Sequence, residues 1–295
     1  ENQDLPGFVV LPEVAYPQGG AANWSNGFLP PHYQGTTLRA QGSPILDLHP
    51  PKGVTREMQR ANLDLIGALN KEHAAKRPDH DELAARMESY ELAFRMQAAA
   101  PEAFDITGET EVTKKMYGLD DDHSQSFGYR CLLARRLAER GVRFIQVQCG
   151  KGDGLDWDQH SGLEKGHRKN AAATDKPVGA LLSDLEARGL LNDTLVIWGG
   201  EFGRSPTSQG TDGREHHPHG YSLCLAGAGV RPGFVYGATD DFGWYADEKK
   251  MHIHDFHATL LHLMGIDHEK LTFRYSGRDF RLTDVHGEIA HEIIS

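Results

Sequence analysis

The pattern of apolar and polar positions changes near residue 120. Residues 1–54 are rich in Gly, Pro and Asn, and their short apolar runs predict strands joined by long loops. Residues 55–100 predict helix, because apolar side chains recur on one helical face: Leu83, Met87, Tyr90 and Phe94. Pro101 is expected to end this helix, since proline lacks the backbone N–H that a helix interior needs. The section 1–119 is therefore predicted to be rich in loops and helices.

Helix and strand patterns alternate from residue 120 onwards. Helices are predicted over 127–141, where Gly141 ends the helix, and over 176–189, with Pro177 in the first turn. Strands are predicted in VRFIQVQ, YSLCLAG and TLVIW, of which TLVIW has the wholly apolar pattern of a strand buried in a parallel sheet. A last helix, HDFHATLLHLMG, is expected with Asp255 as its N-cap.

This alternation predicts the fold class. Strands that alternate with helices form a mainly parallel sheet with helices on both faces, which is a three-layer α/β/α sandwich. The whole chain, 1–295, is expected to be a single α/β domain, in which 120–295 is the β/α core. In such sheets, functional side chains collect in the loops at the carboxyl ends of the strands.

Composition excludes some classes of function. The 295 residues include 31 Lys and Arg against 42 Asp and Glu, so the formal charge is −11 and a nucleic-acid partner is not expected. No apolar run approaches the roughly 20 residues that cross a bilayer, so no membrane span is expected. Three widely spaced cysteines predict buried thiols rather than a disulfide framework: Cys131, Cys149 and Cys224.

Three loops of polar side chains follow the predicted strands. They are GLDWDQHSG, GGEFGRSP and TDGREHHPHG. If the strands are neighbours, the acidic and histidine side chains of these loops converge at one edge of the sheet: Asp156 or Asp158, His160, Glu201, and His216 or His217. Carboxylates and imidazoles are the ligands of zinc and similar divalent ions. Arg204 and Arg214 flank the loops and have the planar guanidinium that binds anionic groups.

The same residues have ordinary structural interpretations. Asp and His in glycine-rich loops are commonly turn formers or surface residues. Other histidine-containing segments are interpreted as structural: HIHDFH at a helix start (His252, His254, His257), a turn at Asp47–His49, and a C-terminal hairpin or turn with Arg278, Asp279 and His286. What favours a metal site is that all three polar loops take equivalent positions after strands.

These loops resemble the alkaline phosphatase and sulfatase superfamily. Its members carry an Asp–x–x–x–His loop, a helix, a buried strand that ends in an Asp–His turn, and a ligand histidine before another strand. Asp156–x–x–x–His160, the helix 176–189, TLVIWGGEFG and EHHPHGYSLCLAGAG follow that order. The resemblance implies an alkaline phosphatase-like sandwich. At the Asp–His pair this chain has Glu201 and Phe202. Phenylalanine cannot bind a metal, so the superfamily's two-metal pattern is not complete.

A closer resemblance covers nearly the whole chain. LPGFVVL, NWSNGFLPPHYQGT, SYELAFRMQAAAPEAFD, NDTLVIWGGEFGRSP, GREHHPHGYS, HIHDFHATLLHLMGID and FRYSGRDFRLTDVHG are similar to a domain-of-unknown-function family, DUF1501. These are exported bacterial proteins, abundant in planctomycetes and grouped with the sulfatase-like fold. In this family the Asp–x–His of WDQH recurs, which favours Asp158 over Asp156. Export in the family implies a periplasmic or secreted protein.

The resemblance also bears on the nucleophile. In the superfamily, a segment before the equivalent of LPGFVVL supplies a metal-binding Asp and a Ser, Thr or Cys nucleophile. This chain starts at Glu1 and has no such segment, so the nucleophile is expected upstream of it. Neither Ser161 nor Ser205 is assigned that role.

The function implied is a metal-dependent hydrolase of phosphate or sulfate esters. The expected metal ligands are Asp158, His160, Glu201 and His216, with Asp156 and His217 in reserve, and zinc is the expected ion. Arg204 and Arg214 are expected to bind the substrate, a small anionic ester or a sulfated or phosphorylated glycan. Two alternatives are an exported binding or structural protein that keeps the fold, and a hydrolase that uses bound water without a covalent intermediate.

Overall fold

The structure of the chain is a computed structural model, and the residues it describes are 2–15, 17, 19–39, 45, 48–77, 81–149 and 157–295. The chain divides into two compact units. The N-terminal unit comprises residues 1–157 and 170–181, and the C-terminal unit comprises residues 158–169 and 182–295.

A small parallel sheet lies at the centre of the N-terminal unit. Strand β1 (Phe8–Leu11) pairs on one side with β2 (Thr36–Thr37) and on the other with β3 (Phe144–Val147), both in parallel. Val9 and Leu11 are buried in an apolar core with side chains from the surrounding helices. The strands predicted in the apolar run at residues 8–11 and in VRFIQVQ are therefore confirmed. The second early run, at residues 45–48, lies partly outside the described residues.

The helical prediction for residues 55–100 is confirmed by two long helices, which pack against each other. They are α1 (Arg56–Ala75) and α2 (Asp81–Phe104). The prediction that Pro101 ends the helix is wrong, because α2 continues to Phe104. Near a helix end, the missing N–H of proline removes a single hydrogen bond. Ala103 and Phe104 are buried in the apolar core, and that burial stabilises the extra turn.

Helices α3 (Glu111–Met116) and α4 (Gln125–Glu139) also belong to the N-terminal unit. The predicted glycine stop is confirmed, since Gly141 has a φ of 77° just beyond α4. In this left-handed conformation, Val142 N–H donates to the carbonyl of Leu137 at 3.1 Å and satisfies one of the last helical acceptors.

An ion network stabilises α4 against the loop that precedes α3. The side chain of Arg135 is only 1% exposed and pairs with Glu109 at 2.8 Å and with Glu139 at 2.6 Å. Arg136 also pairs with Glu109. Burial raises the pKa of Glu109, but hydrogen bonds from Arg135 and Arg136 outweigh it, and the pKa lies below its ordinary value. The Glu109 carboxylate is therefore ionised in the folded chain at neutral pH.

The described strands of the C-terminal unit form antiparallel pairs. These are β4 (Leu195–Trp198) with β7 (Cys224–Gly227), β5 (Gly203–Arg204) with β6 (His216–His217), β8 (Ala238–Thr239) with β9 (Ala246–Glu248), and β10 (Thr272–Tyr275) with β11 (Arg278–Arg281). The prediction that TLVIW is a buried strand of a parallel sheet is wrong. Strand β4 runs antiparallel to β7, and Ile197 and Trp198 are 40% and 52% exposed. A short apolar run does not determine the direction of its partner strand.

Helix α5 (Leu163–Ala187) is longer than predicted. It starts 13 residues before the predicted position 176, so Pro177 lies inside the helix rather than in its first turn. The side chain of Pro177 is fully buried, and good helix formers precede it, among them three consecutive alanines at 171–173. Packing and propensity together outweigh the hydrogen bond that the proline removes.

The last helix is α6 (Ile253–Leu263), and its N-cap differs from the prediction. His252 is the N-cap, and its Nδ1 accepts from His254 N–H at 3.3 Å. Asp255 lies three positions later and accepts from His252 N–H at 2.9 Å. The two side chains thus form a reciprocal capping box, in which the predicted aspartate takes the second role.

The described chain is a mixed α/β protein with a small parallel sheet. The three-layer sandwich, the single domain over 1–295 and its division at residue 120 stay predictions. None of the described helices combines the length and the apolar character that a membrane span requires.

Candidate metal centre

The antiparallel pair β5–β6 presents two of the expected side chains on one face. Arg204 lies opposite His216 in the pairing, and Gly203 lies opposite His217. Because side chains alternate between the faces of a strand, Arg204 and His216 share a face and His217 points the other way. Gly203 has no room for a side chain, since a Cβ would lie 2.6 Å from the carbonyl oxygen of Gly220.

Backbone hydrogen bonds attach the loop 158–162 to the segment that leads into β6. Leu163 N–H donates to the carbonyl of Asp212 at 3.1 Å, and Arg214 N–H donates to the carbonyl of Gln159 at 3.0 Å. These bonds fix the position of the loop relative to the strand pair. These backbone contacts therefore determine where the side chains of the loop start.

Gly213 is the point of closest approach between these two segments. A Cβ at this position would lie 2.9 Å from the backbone nitrogen of Ser161 and closer still to the carbonyl group of His160. Only glycine lets the two backbones come so close. The position of His160 thus depends on the absence of a side chain at residue 213.

Three potential metal ligands converge here, and we call Asp158, His160 and His216 the donor cluster. Oδ1 of Asp158 lies 3.0 Å from Nε2 of His160 and 2.9 Å from Nε2 of His216. The two histidine Nε2 atoms are 3.2 Å apart. Arg204 Nη1 also donates to Oδ1 of Asp158. All three cluster residues keep access to solvent, with His216 the most exposed.

The charge state of Asp158 follows from these contacts. Burial raises the pKa of its carboxyl group. Hydrogen bonds from His216 and Arg204, together with the charge of Arg204, act in the opposite direction and outweigh burial. The pKa of Asp158 therefore lies below its ordinary value, and the group is a carboxylate at neutral pH.

Two polar side chains lie behind the donor cluster. Nδ1 of His160 lies 2.5 Å from Oε1 of Gln209, whose Nε2 donates to Oε2 of Glu215 at 2.9 Å. Oε1 of Glu215 accepts from the backbone N–H of His216 at 3.0 Å. An apolar side chain also borders the cluster, since the ring centroid of Phe202 lies 4.7 Å from that of His216.

The structure brings together three of the four predicted ligands. Glu201 is exposed and lies outside the donor cluster. The reserve ligand His217 also lies elsewhere: its Nε2 contacts the carbonyl of Trp244, and its ring packs edge-on against that indole at 4.7 Å. Phe202, interpreted from the sequence as unable to bind a metal, packs beside the cluster instead.

The remaining predicted residues are placed as follows. Arg204 contacts the cluster, whereas Arg214 donates to its neighbour's carbonyl at 2.8 Å and to Ser208 Oγ at 3.3 Å. Asp156 and Asp47 lie outside the described residues. Ser205 is buried, and its hydroxyl donates to the carbonyl of residue 207, which agrees with its not being assigned as a nucleophile.

The histidines near the C-terminus have structural contacts. His252 caps α6, and His257 Nδ1 contacts the carbonyl four residues earlier at 2.8 Å. The rings of His254 and His286 stack with centroids 5.3 Å apart. The predicted C-terminal hairpin is present as β10–β11.

Sequence reasoning missed Gln209 and Glu215. Both lie in a polar loop with no periodic pattern, and their contacts with His160 and His216 depend on the loop closing on itself. The available signal was that Glu215 directly precedes His216. That signal is weak, because adjacent residues in a strand normally point to opposite faces.

The chain matches one protein family over residues 1–294, described as "Protein of unknown function (DUF1501)". The chain belongs to this family. Membership in DUF1501 confirms the closer of the two resemblances seen in the sequence, and it assigns no activity. No curated protein and no solved structure matches the chain.

Proposed function

We propose that the donor cluster binds one divalent metal ion and that the protein hydrolyses phosphate or sulfate esters with it. The observation that carries the proposal is the mutual distance of three donor atoms. Oδ1 of Asp158 and the Nε2 atoms of His160 and His216 lie 2.9, 3.0 and 3.2 Å from one another.

Hydrogen bonds alone cannot satisfy all three contacts among these donor atoms. With Asp158 ionised, a hydrogen on His216 Nε2 serves two of the three contacts and leaves the lone pair of His160 Nε2 facing a carboxylate oxygen. A hydrogen on His160 Nε2 instead leaves His216 Nε2 facing that oxygen. Hydrogens on both nitrogens face each other across 3.2 Å. A cation bound to all three atoms, with both Nε2 atoms unprotonated, removes the conflict.

The distances and the chemistry of the donor set fit a small divalent ion. Ligand atoms around a tetrahedral ion with bonds of about 2.0–2.1 Å lie about 3.3 Å apart, close to the separations in the cluster. Two imidazoles and one carboxylate are a common zinc ligand set, and an exposed cluster leaves a coordination position open for a substrate or water. The same set also binds iron(II), so both ions belong in the test.

Arg204 supplies the positive charge that an anionic substrate needs. Its Nη1 holds Asp158, and its Nε and Nη2 have no hydrogen-bond partner within the described residues. A phosphate or sulfate group at the cluster would therefore meet a planar donor that is already positioned. When bound, the metal ion would supply Lewis acidity, which polarises an ester oxygen and makes a nearby water more acidic.

A route that uses bound water without a covalent intermediate is one version of the proposal. In the described parts of the chain, no hydroxyl or thiol is hydrogen-bonded to His160 or His216. The rest of the proposal rests on the resemblance to the alkaline phosphatase and sulfatase superfamily. It comprises a three-layer sandwich, a periplasmic or secreted location, and a small anionic ester or a sulfated or phosphorylated glycan as the substrate.

Metal analysis of the purified chain tests the proposal. The protein is incubated with Zn²⁺ or Fe²⁺, dialysed, and measured by elemental analysis beside His160→Ala, His216→Ala and the control His257→Ala. We expect one ion per wild-type and control chain and at least a tenfold loss of affinity in the two cluster variants. Equal binding in all four proteins, or none in any, would refute the metal site.

Hydrolysis of aryl phosphate and aryl sulfate esters then tests the enzyme. We expect activity that depends on the added metal and falls with Arg204→Ala, mainly through KM, because the guanidinium binds the anion. A loaded protein that is inactive on both ester classes would favour the alternative of a binding protein.

A further inference from the structure

The side chain of Gln209 has only one orientation that satisfies both of its neighbours. Glu215 is a carboxylate and can only accept hydrogen bonds, so the amide nitrogen of Gln209 must face it, at 2.9 Å. The amide oxygen of Gln209 then faces Nδ1 of His160 at 2.5 Å.

This orientation determines where His160 carries its proton. An amide oxygen is an acceptor only, so Nδ1 of His160 must be the donor. In a neutral imidazole with hydrogen on Nδ1, Nε2 is unprotonated, and here Nε2 is the atom that faces Asp158 and His216. The chain Glu215–Gln209–His160 therefore presents a lone pair to the centre of the donor cluster.

Glu215 also fixes the other histidine. Its second oxygen accepts the backbone N–H of His216 at 3.0 Å, and its own backbone N–H donates to Ser205 Oγ at 3.1 Å. One carboxylate thus connects the segments that carry both imidazoles. Hydrogen bonds of this kind to the second nitrogen of a ligand histidine commonly raise metal affinity about 10–100-fold.

We infer that Gln209, anchored by Glu215, is a positioning residue that fixes the Nδ1-protonated tautomer of His160 and so orients it as a metal ligand. The inference rests on the proposed metal site. It assigns a role to two side chains that lie outside the donor cluster. It also explains why an uncharged amide lies between a histidine and a glutamate, since the amide sets the direction of both bonds.

The variants follow from the bond pattern. Gln209→Leu removes the acceptor at nearly constant size. The double exchange Gln209→Glu with Glu215→Gln reverses amide and carboxylate but keeps an acceptor toward His160, an acceptor toward the His216 N–H, and one hydrogen bond between the two side chains. Gln125→Leu is the control, because its exposed amide donates to the nearby Asp122, at 3.2 Å, and not to a residue of the donor cluster.

Two measurements are made on each protein. ¹⁵N chemical shifts of the metal-free chain report which nitrogen of His160 is protonated, and a competition titration gives the Zn²⁺ affinity. We expect an Nδ1-protonated wild type, a shift toward the Nε2-protonated form with about 10–100-fold weaker Zn²⁺ binding in Gln209→Leu, and recovery to within a few-fold in the double exchange.

The outcomes separate the inference from the proposed function. If wild type binds Zn²⁺ and Gln209→Leu keeps both tautomer and affinity, the inference is wrong and the metal site stands. Failure of the double exchange to recover either property also refutes it. If wild type binds no Zn²⁺, the proposed function fails, and the chemical shifts still decide whether Gln209 sets the tautomer.

Discussion

Gly213→Ala tests whether close backbone packing positions the donor cluster. The new Cβ would lie 2.9 Å from the nitrogen of Ser161 and closer to the carbonyl group of His160, whereas non-bonded atoms pack at about 3.5 Å. The neighbours are backbone atoms, so no side-chain rotation relieves the contact. The loop 158–162 must therefore retreat by more than about 0.5 Å. Overpacking of this kind costs about 1–3 kcal/mol.

That energy is divided between folding and metal binding. If the loop stays in place, the unfolding free energy falls by the full amount. If the loop retreats, His160 moves out of the donor cluster, and metal binding must then push the loop back against the new Cβ. At about 1.4 kcal/mol per tenfold change, the cost then becomes roughly 5–150-fold weaker Zn²⁺ binding. The loss of unfolding free energy and the loss of Zn²⁺ binding free energy should together amount to about 1–3 kcal/mol, the range for overpacked sites.

Denaturant unfolding and Zn²⁺ competition measure the two parts separately. Gly179→Ala is the matched control, because that glycine lies inside α5 and a Cβ there meets nothing within 4 Å. The control should keep Zn²⁺ affinity and gain about 0.5–1 kcal/mol of stability from helix propensity. The reasoning is refuted if Gly213→Ala matches wild type in both unfolding midpoint and Zn²⁺ affinity.

Further predictions concern the N-terminal unit and the cysteines. Glu109→Gln should lower the unfolding free energy at pH 7 by about 3 kcal/mol, because Arg136 loses its carboxylate partner and buried Arg135 keeps one of its two. Exposed Glu102→Gln should cost less than about 1 kcal/mol. The pKa of Glu109 is lowered by folding, so its contribution is complete above the unfolded value and is lost as pH falls. The difference between wild type and Glu109→Gln should therefore shrink when the denaturation is repeated in acid, and a constant difference would contradict this. The prediction of buried thiols is confirmed for Cys131 and is wrong for Cys149 and Cys224, which are exposed. Burial raises the pKa of the Cys131 thiol to about 12, so a short alkylating pulse on the native protein should label the two exposed thiols and leave Cys131 unmodified, as peptide mass analysis would report.

Strong local signals account for the parts of the fold that the sequence predicts. The helical periodicity of α2 spans several turns, and Gly141 is a stop that depends only on its own φ. Both signals act within a few residues, so they depend little on contacts with the rest of the chain. The helix and strand types in the N-terminal unit are predictable for this reason.

Tertiary packing decides the features that the sequence does not predict. Pro101 and Pro177 both look like helix boundaries, yet neighbouring burial keeps each inside a helix. The partner of β4 is β7, which is 26 residues further along the chain, and nothing within TLVIW specifies that pairing or its direction. A proline penalty and a strand direction are each set by contacts that a local pattern does not contain.

The donor cluster lies between these cases. Asp158 and His160 are two positions apart in a loop, so both side chains can contact the same third group. This local spacing makes the pair predictable from the sequence. The choice between His216 and His217 depends on the face of a two-residue strand, which is fixed by its pairing with β5. Glu201 was selected because its loop follows a strand and takes the place of the superfamily's Asp–His pair, but it lies outside the cluster, because neither signal specifies the direction of its side chain.

The architecture of the site explains how three competing donor atoms remain so close together without relying on long side chains. Asp158 and His160 lie on a loop that two backbone hydrogen bonds and the bare Cα of Gly213 hold against the segment before β6. His216 is held by its strand pairing and by Glu215. These constraints hold the backbone positions of the ligands, and the contact with Gln209 limits rotation of the His160 ring. A bound cation would attract all three donor atoms and so remove the repulsion among them. The same backbone contacts would then limit how far the donor atoms can separate, and therefore the size of the ion. The selectivity of the site for a small ion should therefore depend on Gly213 and Glu215 as much as on the ligands themselves.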